Sequence, residues 1–334
     1  MGKASKYFPP VGTYHHKWYP DEVVSLSDPL SGGRVWYVDG DKTASGAGRS
    51  WSDAYDTIQE AVTAASAGDV IYIAEKTITA LATDPVSYAE TIIIPNAKSS
   101  LSLIGVSRGR TQGGLPQIKI GSGSTAMLTV RAPGCLIANI GINGIDSTGG
   151  GVLLDDDGGT SKVAFGTSIV NCHFKNCVGS TATNAATGGA IMWTSSGNAW
   201  QIHVQGNRFY KNVGDIVMPG TGSSIPQDVV IEDNIFSGPA ANVDCNIYTA
   251  GDGISGLVIR NNEFPAMPAL GSGSNLRFVK LTGSVGIMTG NSFATSTTLT
   301  FGAAGTGGIV PTTMFMPKNY RETTTGVSSE IFRT

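Results

Sequence analysis

The densest group of carboxylates in the sequence is Asp155-Asp156-Asp157, which two glycines follow. Hard carboxylate oxygens suit Ca²⁺, and carboxylates ~5 to 9.5 Å apart can carry out glycoside hydrolysis. An acidic run before two glycines is also typical of a solvated turn. We therefore assign no catalytic residue and no cofactor. If the chain is an enzyme, Asp155, Asp156, Asp157 and Arg131 are the first residues to test, and Ca²⁺ is the cation that the aspartates would suit.

Four cysteines are a second set of residues that could carry chemistry. Their spacing fits neither a zinc site nor a redox pair. We expect small buried thiols that pack in the core: Cys135, Cys172, Cys177 and Cys245.

A short sequence pattern recurs between Ile137 and Phe293. It begins with an aliphatic residue, and a turn-forming residue stands two places later. The next position is usually Asn, and after one further residue the pattern ends, usually with Phe. Its last position recurs at residues 142, 174, 209, 236, 264 and 293, so the period is 27 to 35 residues. Such a period indicates a repeat architecture.

The spacing within the pattern predicts the shape of each repeat. Side chains two apart share one face of a strand, but the aliphatic residue and the Asn are three apart, so a residue between them must bend the chain. That position holds residue types that tolerate the left-handed conformation: Asn139, Asn171, Gly206, Asp233, Asn261 and Gly290. Each repeat is therefore predicted to be a coil of short strands, and successive coils are expected to stack as parallel strands ~4.8 Å apart.

The same stacking predicts two columns of side chains inside the solenoid. We expect a ladder of hydrogen-bonded amides from Asn207, Asn234, Asn262 and Asn291. A stack of aromatic rings is expected beside it, from Phe174, Phe209, Phe236, Phe264 and Phe293.

Outward residues of neighbouring coils also lie side by side in this arrangement. Glu232 and Arg260 share one column and are expected to form a surface ion pair worth under ~1 kcal/mol. A second column is expected to be an ordinary solvated face: His173, Arg208, Ile235, Glu263 and Ser292.

The composition excludes several classes of protein. The 334 residues include 45 Gly, only 14% are charged, and the net charge is -3, which is typical of a turn-rich all-β protein. There is no basic excess, so no nucleic-acid partner is expected. No apolar stretch of ~18 residues is present, so no membrane span is expected. Residues 1–10 lack the apolar core of a secretory signal, which makes Sec-dependent secretion the less favoured expectation.

The chain divides into three predicted regions: an extended arm over residues 1–33, a solenoid over 34–310, and a C-terminal cap or tail over 311–334. A capping helix is predicted at about 56–67, because Asp56 with Gln59 three residues later resembles a capping box and apolar residues share one helical face: Ile58, Ala61, Val62 and Ala65. The arm shows no helical or alternating period but carries Tyr7, Phe8, Tyr14, Trp18 and Tyr19. Exposed aromatic clusters often mark contact surfaces. Two roles stay open, packing on its own solenoid and contact with another subunit, and the sequence favours the second.

The entry segment carries a resemblance to a known superfamily. Asp56–Val62, Ala67–Ile73, Tyr88–Thr91 and Leu103–Gly105 resemble the first coils of right-handed parallel β-helix proteins of the pectate-lyase-like superfamily, and the similarity extends over about 35–301. It implies an all-β, single-stranded right-handed parallel β-helix with an N-terminal capping helix and extended terminal arms. This fold serves lyases, glycosidases, phage tailspikes and non-enzymatic virion proteins.

The superfamily's catalytic motifs are incomplete here. The hydrolase signature requires a histidine that is flanked by glycine, and neither His173 nor His203 has a glycine neighbour. Arg131-Ala132-Pro133 begins like the Arg-x-Pro-x-x-Arg motif of pectate lyases, but Leu136 replaces the closing Arg.

Three functional hypotheses follow, with the non-enzymatic one first. The first is a structural phage virion protein, a capsid decoration or tail component, that binds copies of itself and other virion proteins through its terminal arms. The second is a tailspike-like protein that binds or degrades polysaccharide, with surface glycans as partners. The third is a bacterial surface or adhesion protein, which would be extracellular.

Overall fold

The computed structural model describes residues 33–76, 87–106, 115–119, 126–144, 150–156, 164–177, 189–194, 199–218, 226–237, 245–249, 253–265, 277–294, 300–301, 308–322 and 329–331. The aromatic arm residues Tyr7, Phe8, Tyr14, Trp18 and Tyr19 lie outside these ranges. Asp157 also lies outside them.

The described strands lie on three faces of a solenoid, which we call faces A, B and C in the order in which each coil visits them. Face A precedes the left-handed bend of the repeat. Its strands are Val35–Val38, Val70–Ala74, Ser102–Val106, Leu136–Ala138, Ser168–Val170, His203–Gln205, Val230–Glu232, Ser255–Arg260 and the last parts of Arg277–Thr289 and Gly308–Phe315.

Face B follows the bend and forms a 10-stranded sheet. Its strands are Ser87–Ala89, Gln117–Lys119, Gly141–Asn143, His173–Lys175, Arg208–Tyr210, Ile235–Ser237, Glu263–Phe264, Ser292–Ala294, Asn319–Glu322 and Ser329–Ile331. Only the final pairing of this sheet is antiparallel, between Asn319–Glu322 and Ser329–Ile331.

Face C completes each coil. Its strands are Ile92–Ile94, Leu128–Val130, Val152–Leu154, Ile191–Trp193, Ile216–Met218, Cys245–Thr249, Thr300–Phe301 and the first parts of Arg277–Thr289 and Gly308–Phe315. Because those two long strands turn from face C to face A, faces A and C join into a 17-stranded sheet.

The parallel register of these strands confirms the predicted fold class, an all-β parallel β-solenoid with very little helix. Val204 pairs with Ile231, which in turn pairs with Ile259 on the next coil. All three side chains are buried, so equivalent aliphatic residues stack along the axis of the solenoid.

The bends between faces A and B have the predicted left-handed conformation. Asn139, Asn171, Asp233 and Asn261 have φ between 52° and 57°, and Gly206 and Gly290 occupy the same position at 66° and 69°. A second column of left-handed residues precedes face A and was not predicted, because it contains no single residue type. It consists of Ser100, Gly134, Gly166, Gln201, Asp228 and Gly256.

The buried asparagines form a continuous hydrogen-bonded ladder. Asn234 Nδ2 donates to Val204 O and to Asn262 Oδ1, both at 3.0 Å. Asn262 Oδ1 also accepts from Asn234 N at 3.0 Å, so one amide satisfies backbone groups on both sides of its rung. The described ladder contains Asn207, Asn234, Asn262, Asn291 and Asn319.

Phenylalanine rings stack beside the ladder. Successive rings from Phe174 to Phe293 have centroids 4.7 to 5.1 Å apart and planes within 6° to 13° of parallel. Phe278 packs edge-on against Phe264 and Phe293. The parallel rings are spaced at nearly the strand repeat, so the backbone register sets the stacking geometry.

The entry end is covered by one short α-helix, α1, Ile58–Ala64. Thr57 caps it, since Thr57 Oγ1 accepts from Glu60 N at 3.4 Å and donates to Glu60 Oε2 at 2.9 Å. The predicted capping box of Asp56 and Gln59 is therefore one residue early. Ile58, Ala61 and Val62 face the core, as the helical period predicted. A 3₁₀ turn, Trp51–Asp53, precedes the helix.

At the other end, the predicted boundary at residue 310 falls inside the strand Gly308–Phe315. Asn319–Glu322 then adds to face B, and Asn319 continues the ladder. The repeat thus recurs once more at 316–321. The sequence pattern did not detect this repeat, because Lys318 occupies the left-handed bend, with a φ of 53°. In addition, Arg321 occupies the position of the Phe, where it pairs with Phe293.

A second polar cluster is buried inside the solenoid around Asp215, which is 2% exposed. Its carboxylate oxygens accept from Asn212 Nδ2 at 2.9 Å and from Asn246 Nδ2 at 2.7 Å. Burial raises the pKa of Asp215 to about 7, although both amide donors act to lower it. The folded chain therefore favours the protonated acid near neutral pH.

We expect Asn262→Ala and Asn234→Ala each to lower the free energy of unfolding by ~1 to 3 kcal/mol, because each leaves buried ladder groups unpaired. Asn261→Gly is the matched control. Asn261 is exposed and left-handed, a conformation that glycine accepts. Urea unfolding measures all three variants, and equal stability across them would rule out a stabilising ladder.

Asp215 should make stability depend on pH. Its folded pKa lies above the unfolded value of ~3.9, so between pH ~4 and ~7 the folded chain holds a proton that the unfolded chain lacks. Stability from this group therefore falls as the pH rises through that window. We expect Asp215→Asn to reduce that loss by ~1 to 3 kcal/mol in urea unfolding between pH 5 and 8. Asp228→Asn, which changes an exposed aspartate, should keep the full loss of stability with rising pH. Identical slopes of the free energy of unfolding against pH for the two variants would contradict the assignment of this loss to Asp215.

Candidate functional site

The outer surface of face A changes character along the solenoid axis. Alternate residues of each strand point outward, so Val70 and Tyr72 face away from the core that Ile71 joins. Three zones follow one another from the N-terminal to the C-terminal coils, and each is defined below.

The first zone is the buried outer cluster. It consists of five outward residues that are 0 to 7% exposed and that pack together separately from the main core: Val70, Tyr72, Ile104, Ala138 and Val170. Val35, Tyr37 and Leu136 are partly buried against it.

The second zone is the charged triad of His203, Glu232 and Arg260. Glu232 Oε1 lies 2.7 Å from His203 Nε2, and Arg260 Nε donates to Glu232 Oε2 at 2.5 Å. Glu232 is only 5% exposed. Burial alone would raise the pKa of Glu232, but the hydrogen bonds and charges of both partners lower it below its usual value.

This geometry confirms the predicted ion pair between Glu232 and Arg260 but corrects its placement on the open surface. The carboxylate is buried between two coils, and His203 is a third member that the column analysis missed. His203 belongs to the neighbouring outward column, where it pairs with Val230, so it reaches Glu232 diagonally. Such a diagonal contact is not visible from spacing along one column.

The third zone is the exposed apolar strip, which consists of Val285, Ile287 and Phe315. These side chains are 52%, 39% and 66% exposed. Ile287 pairs with both Val258 and Phe315, so the strip continues one column of face A.

Two of the aspartates singled out in the sequence, Asp155 and Asp156, follow the face C strand Val152–Leu154 directly, where the chain leaves that face. Asp155 Oδ2 accepts from Arg131 Nε at 2.7 Å, and Asp155 Oδ1 accepts from Asp156 N at 2.9 Å. The structure thus brings Arg131 and Asp155 together and buries Asp156, which is 4% exposed. In the described part of the chain, no three His, Cys, Asp or Glu side chains gather as a metal site would require.

His173 was expected on a solvated face, and this was wrong. It is 9% exposed, although Arg208 and Glu263 of the same column are exposed. Burial, followed by the charges of Arg208 and Lys175, lowers the pKa of His173 to about 4. It is therefore a neutral, buried imidazole at physiological pH.

All four cysteines are buried free thiols, as the sequence predicted. Burial raises the pKa of Cys135 and of Cys172 to about 12. These thiols therefore remain protonated and unreactive near neutral pH.

An edge between faces C and A carries a column of apolar rings that the sequence analysis missed. Gly134 N donates to Phe165 O at 2.6 Å, and Gly166 N donates to Trp200 O at 2.9 Å. These bonds place Pro133, Phe165 and Trp200 on successive coils, and the two aromatic side chains are 38% and 36% exposed. We call these three residues the corner column. Periodicity could have revealed it, since Phe165 and Trp200 each precede a left-handed bend.

Among these surfaces, the apolar side chains are more open to solvent than the carboxylates. The Glu232 and Asp155 carboxylates are each engaged by a cationic side chain, and general-acid or nucleophilic work requires carboxyl groups aimed at a substrate. The exposed apolar strip and the corner column present side chains to solvent instead.

Known proteins resemble this chain in structure at low sequence identity, between 12% and 14% for the three solved structures named here. No protein-family model matches the chain, and no curated protein matches it. Pectate lyase Pel9A is 14% identical, with a TM-score of 0.40 over 88% of this chain and 78% of its own. A rhamnogalacturonan lyase is 13% identical, with a TM-score of 0.33 over 90% of each chain. PfbA, a surface adhesin of Streptococcus pneumoniae, is 12% identical, with a TM-score of 0.37 over 91% of this chain and 85% of its own.

None of the helices in the described ranges is long and apolar enough to cross a membrane. The strand register and the pairing of faces A, B and C establish what the chain is, an all-β parallel β-solenoid.

Proposed function

We propose that this protein is a non-enzymatic structural subunit that assembles with copies of itself through the exposed apolar strip. The exposure of Val285, Ile287 and Phe315 on one regular sheet carries this proposal. Exposed, contiguous apolar surface on an otherwise polar protein is typical of a contact site.

A second copy of the chain is the occupant that best fits the strip. The described strip residues are uncharged and lie on a regular parallel sheet, so two strips related by a two-fold axis would meet with matching chemistry on both sides. A stable interface needs about 800 Å² from each partner, so the strip would be its apolar centre and neighbouring polar residues its rim.

A phage particle, as a decoration or tail component, is the setting that we propose for this assembly. It rests on the sequence features given above, namely the incomplete catalytic motifs and the arm. Copurification with intact particles at a fixed copy number tests the setting. A chain found only on bacterial surfaces would support an adhesion role instead.

Ile287→Glu should shift the protein from oligomer to monomer and leave the monomer folded, because the charge would be buried only in the assembly. Ile93→Glu is the matched control, since Ile93 is also 39% exposed but lies on face C near the opposite end. Light scattering at several protein concentrations measures the mass of each variant. A monomeric parent protein, or equal masses for the two variants, would reject the strip as the interface.

Polysaccharide binding is the second candidate function, and the corner column is the observation that favours it. Exposed aromatic rings offer flat apolar faces that can pack on sugar rings. Gln201 follows Trp200 directly and is exposed, so hydrogen-bonding groups lie beside the rings.

This candidate makes its own prediction. Trp200→Ala and Phe165→Ala should each weaken retention in affinity gels that contain polysaccharide, because each removes one stacking surface. Trp51→Ala is the control, since Trp51 is 39% exposed but lies in the entry loop. We expect no reducing ends or unsaturated products, with or without Ca²⁺. Unchanged retention of the corner variants would exclude the site, and turnover would establish an enzyme.

A further inference from the structure

The corner column continues beyond Trp200 along the same edge of the solenoid. Gln201 N donates to Gln227 O at 2.9 Å, and Asp228 N donates to Ser255 O at 3.0 Å. These bonds are equivalent to those that join the members of the corner column, so the next two coils place Gln227 and Ser255 in line with it. We call the five residues of this line the edge track: Pro133, Phe165, Trp200, Gln227 and Ser255.

The edge track is regular along the solenoid axis. Each of its residues directly precedes a left-handed residue, and these left-handed residues have φ between 53° and 71°: Gly134, Gly166, Gln201, Asp228 and Gly256. Because successive coils are ~4.8 Å apart, the four steps from Pro133 to Ser255 span ~19 Å. The track therefore presents one residue per coil at a constant interval.

The two halves of the track differ in chemistry. Phe165 and Trp200 are 38% and 36% exposed and offer apolar ring faces. Gln227 and Ser255 offer an amide and a hydroxyl group, and the exposed Gln201 adds a second amide beside Trp200. Sugar rings have apolar faces and hydroxyl edges, so both halves of the track suit the same class of ligand.

The track is almost uncharged. Among its five residues and the five left-handed residues that follow them, Asp228 has the one charged side chain. Arg131, two residues before Pro133, is engaged by Asp155. Polyanions are held by arginine and lysine side chains, and the ten residues named here include neither type. A neutral ligand therefore fits the track best.

A repeating ligand fits this surface better than a folded partner does. A folded partner needs about 800 Å² of contact with an apolar centre, whereas the apolar half of the track is a single column of three residues. A polysaccharide chain repeats along its length, so successive sugars meet successive coils. The polar half ends where Ser255 pairs with Val285, which belongs to the exposed apolar strip.

We propose that the edge track binds a neutral, unbranched polysaccharide chain that runs parallel to the solenoid axis. Its sugar rings pack on Phe165 and Trp200, and its hydroxyl groups hydrogen-bond to Gln227 and Ser255. An extended chain of the cellulose or mannan type has the required shape. This binding mode rests on the second candidate function, and it adds the class of polymer, its direction and the residues that bind its hydroxyl groups.

Calorimetric titration of the full-length chain with cello-oligosaccharides and manno-oligosaccharides of two to six sugars tests this binding mode. We expect at least one series to bind with an affinity that increases from the disaccharide to the hexasaccharide, because only a longer chain reaches the polar half. Gln227→Ala and Ser255→Ala should each weaken hexasaccharide binding ~3- to 10-fold and leave disaccharide binding unchanged, since each removes one hydrogen-bonding group. Ser237→Ala is the matched control, because Ser237 is an outward serine of face B.

Two further variants separate the parts of the surface. Trp200→Ala should weaken the binding of every oligosaccharide, because the aromatic half is common to all lengths. Ile287→Glu should leave the affinity unchanged, since the exposed apolar strip lies outside the track. Far-UV circular dichroism verifies that each variant remains folded.

Two results would overturn the proposal while the second candidate function stands. An affinity that stops rising at the disaccharide, with unchanged hexasaccharide binding by Gln227→Ala and Ser255→Ala, would confine binding to the aromatic half. Retention of alginate, an acidic polysaccharide, in place of both neutral series would show that the class of polymer is wrong. If Trp200→Ala and Phe165→Ala change the binding of no polysaccharide, the second candidate function itself is rejected.

Discussion

The structure depends on satisfying the backbone groups that each bend leaves inside the solenoid. Every coil must turn sharply between faces A and B, and the turn exposes amide and carbonyl groups to an apolar core. The stacked asparagines solve this problem, because each side chain bonds both to its neighbour and to backbone groups of adjacent coils. The left-handed residues and the phenylalanine stack are arranged around this ladder.

Much of the fold could be predicted because this constraint acts on residue types directly. The bend requires Asn, Asp or Gly in most coils, and the ladder requires Asn, so both leave a readable period. The last coil escaped detection because Lys318 tolerates the left-handed bend and Arg321 replaces the ring. The cap of α1 was misplaced by one residue because Asp56 and Thr57 are both good caps, and only the tertiary structure selects one.

The functional surfaces were harder to predict, since they depend on contacts between columns. His203 reaches Glu232 diagonally across two coils, and the acidic centre at Asp215 is made by residues that are 3 and 31 positions apart. Exposure was also invisible in the sequence. Val70 and Ile287 are both aliphatic outward residues of face A, yet one is buried and the other is exposed. The outer surface of face A therefore combines the buried outer cluster, the triad of His203, Glu232 and Arg260, and the exposed apolar strip.

The antiparallel pairing of Ser329–Ile331 with Asn319–Glu322 changes the edge at which face B ends in the described part of the chain. Every earlier addition to face B is parallel and offers the next coil an edge of the same polarity. The reversed strand offers an edge of the opposite polarity, so a further strand that runs in the direction of the coils would have to pair with it antiparallel. In the described part of face B, the parallel stack therefore ends in an antiparallel edge, which does not present the coil edge that a second copy would need to continue the stack in parallel.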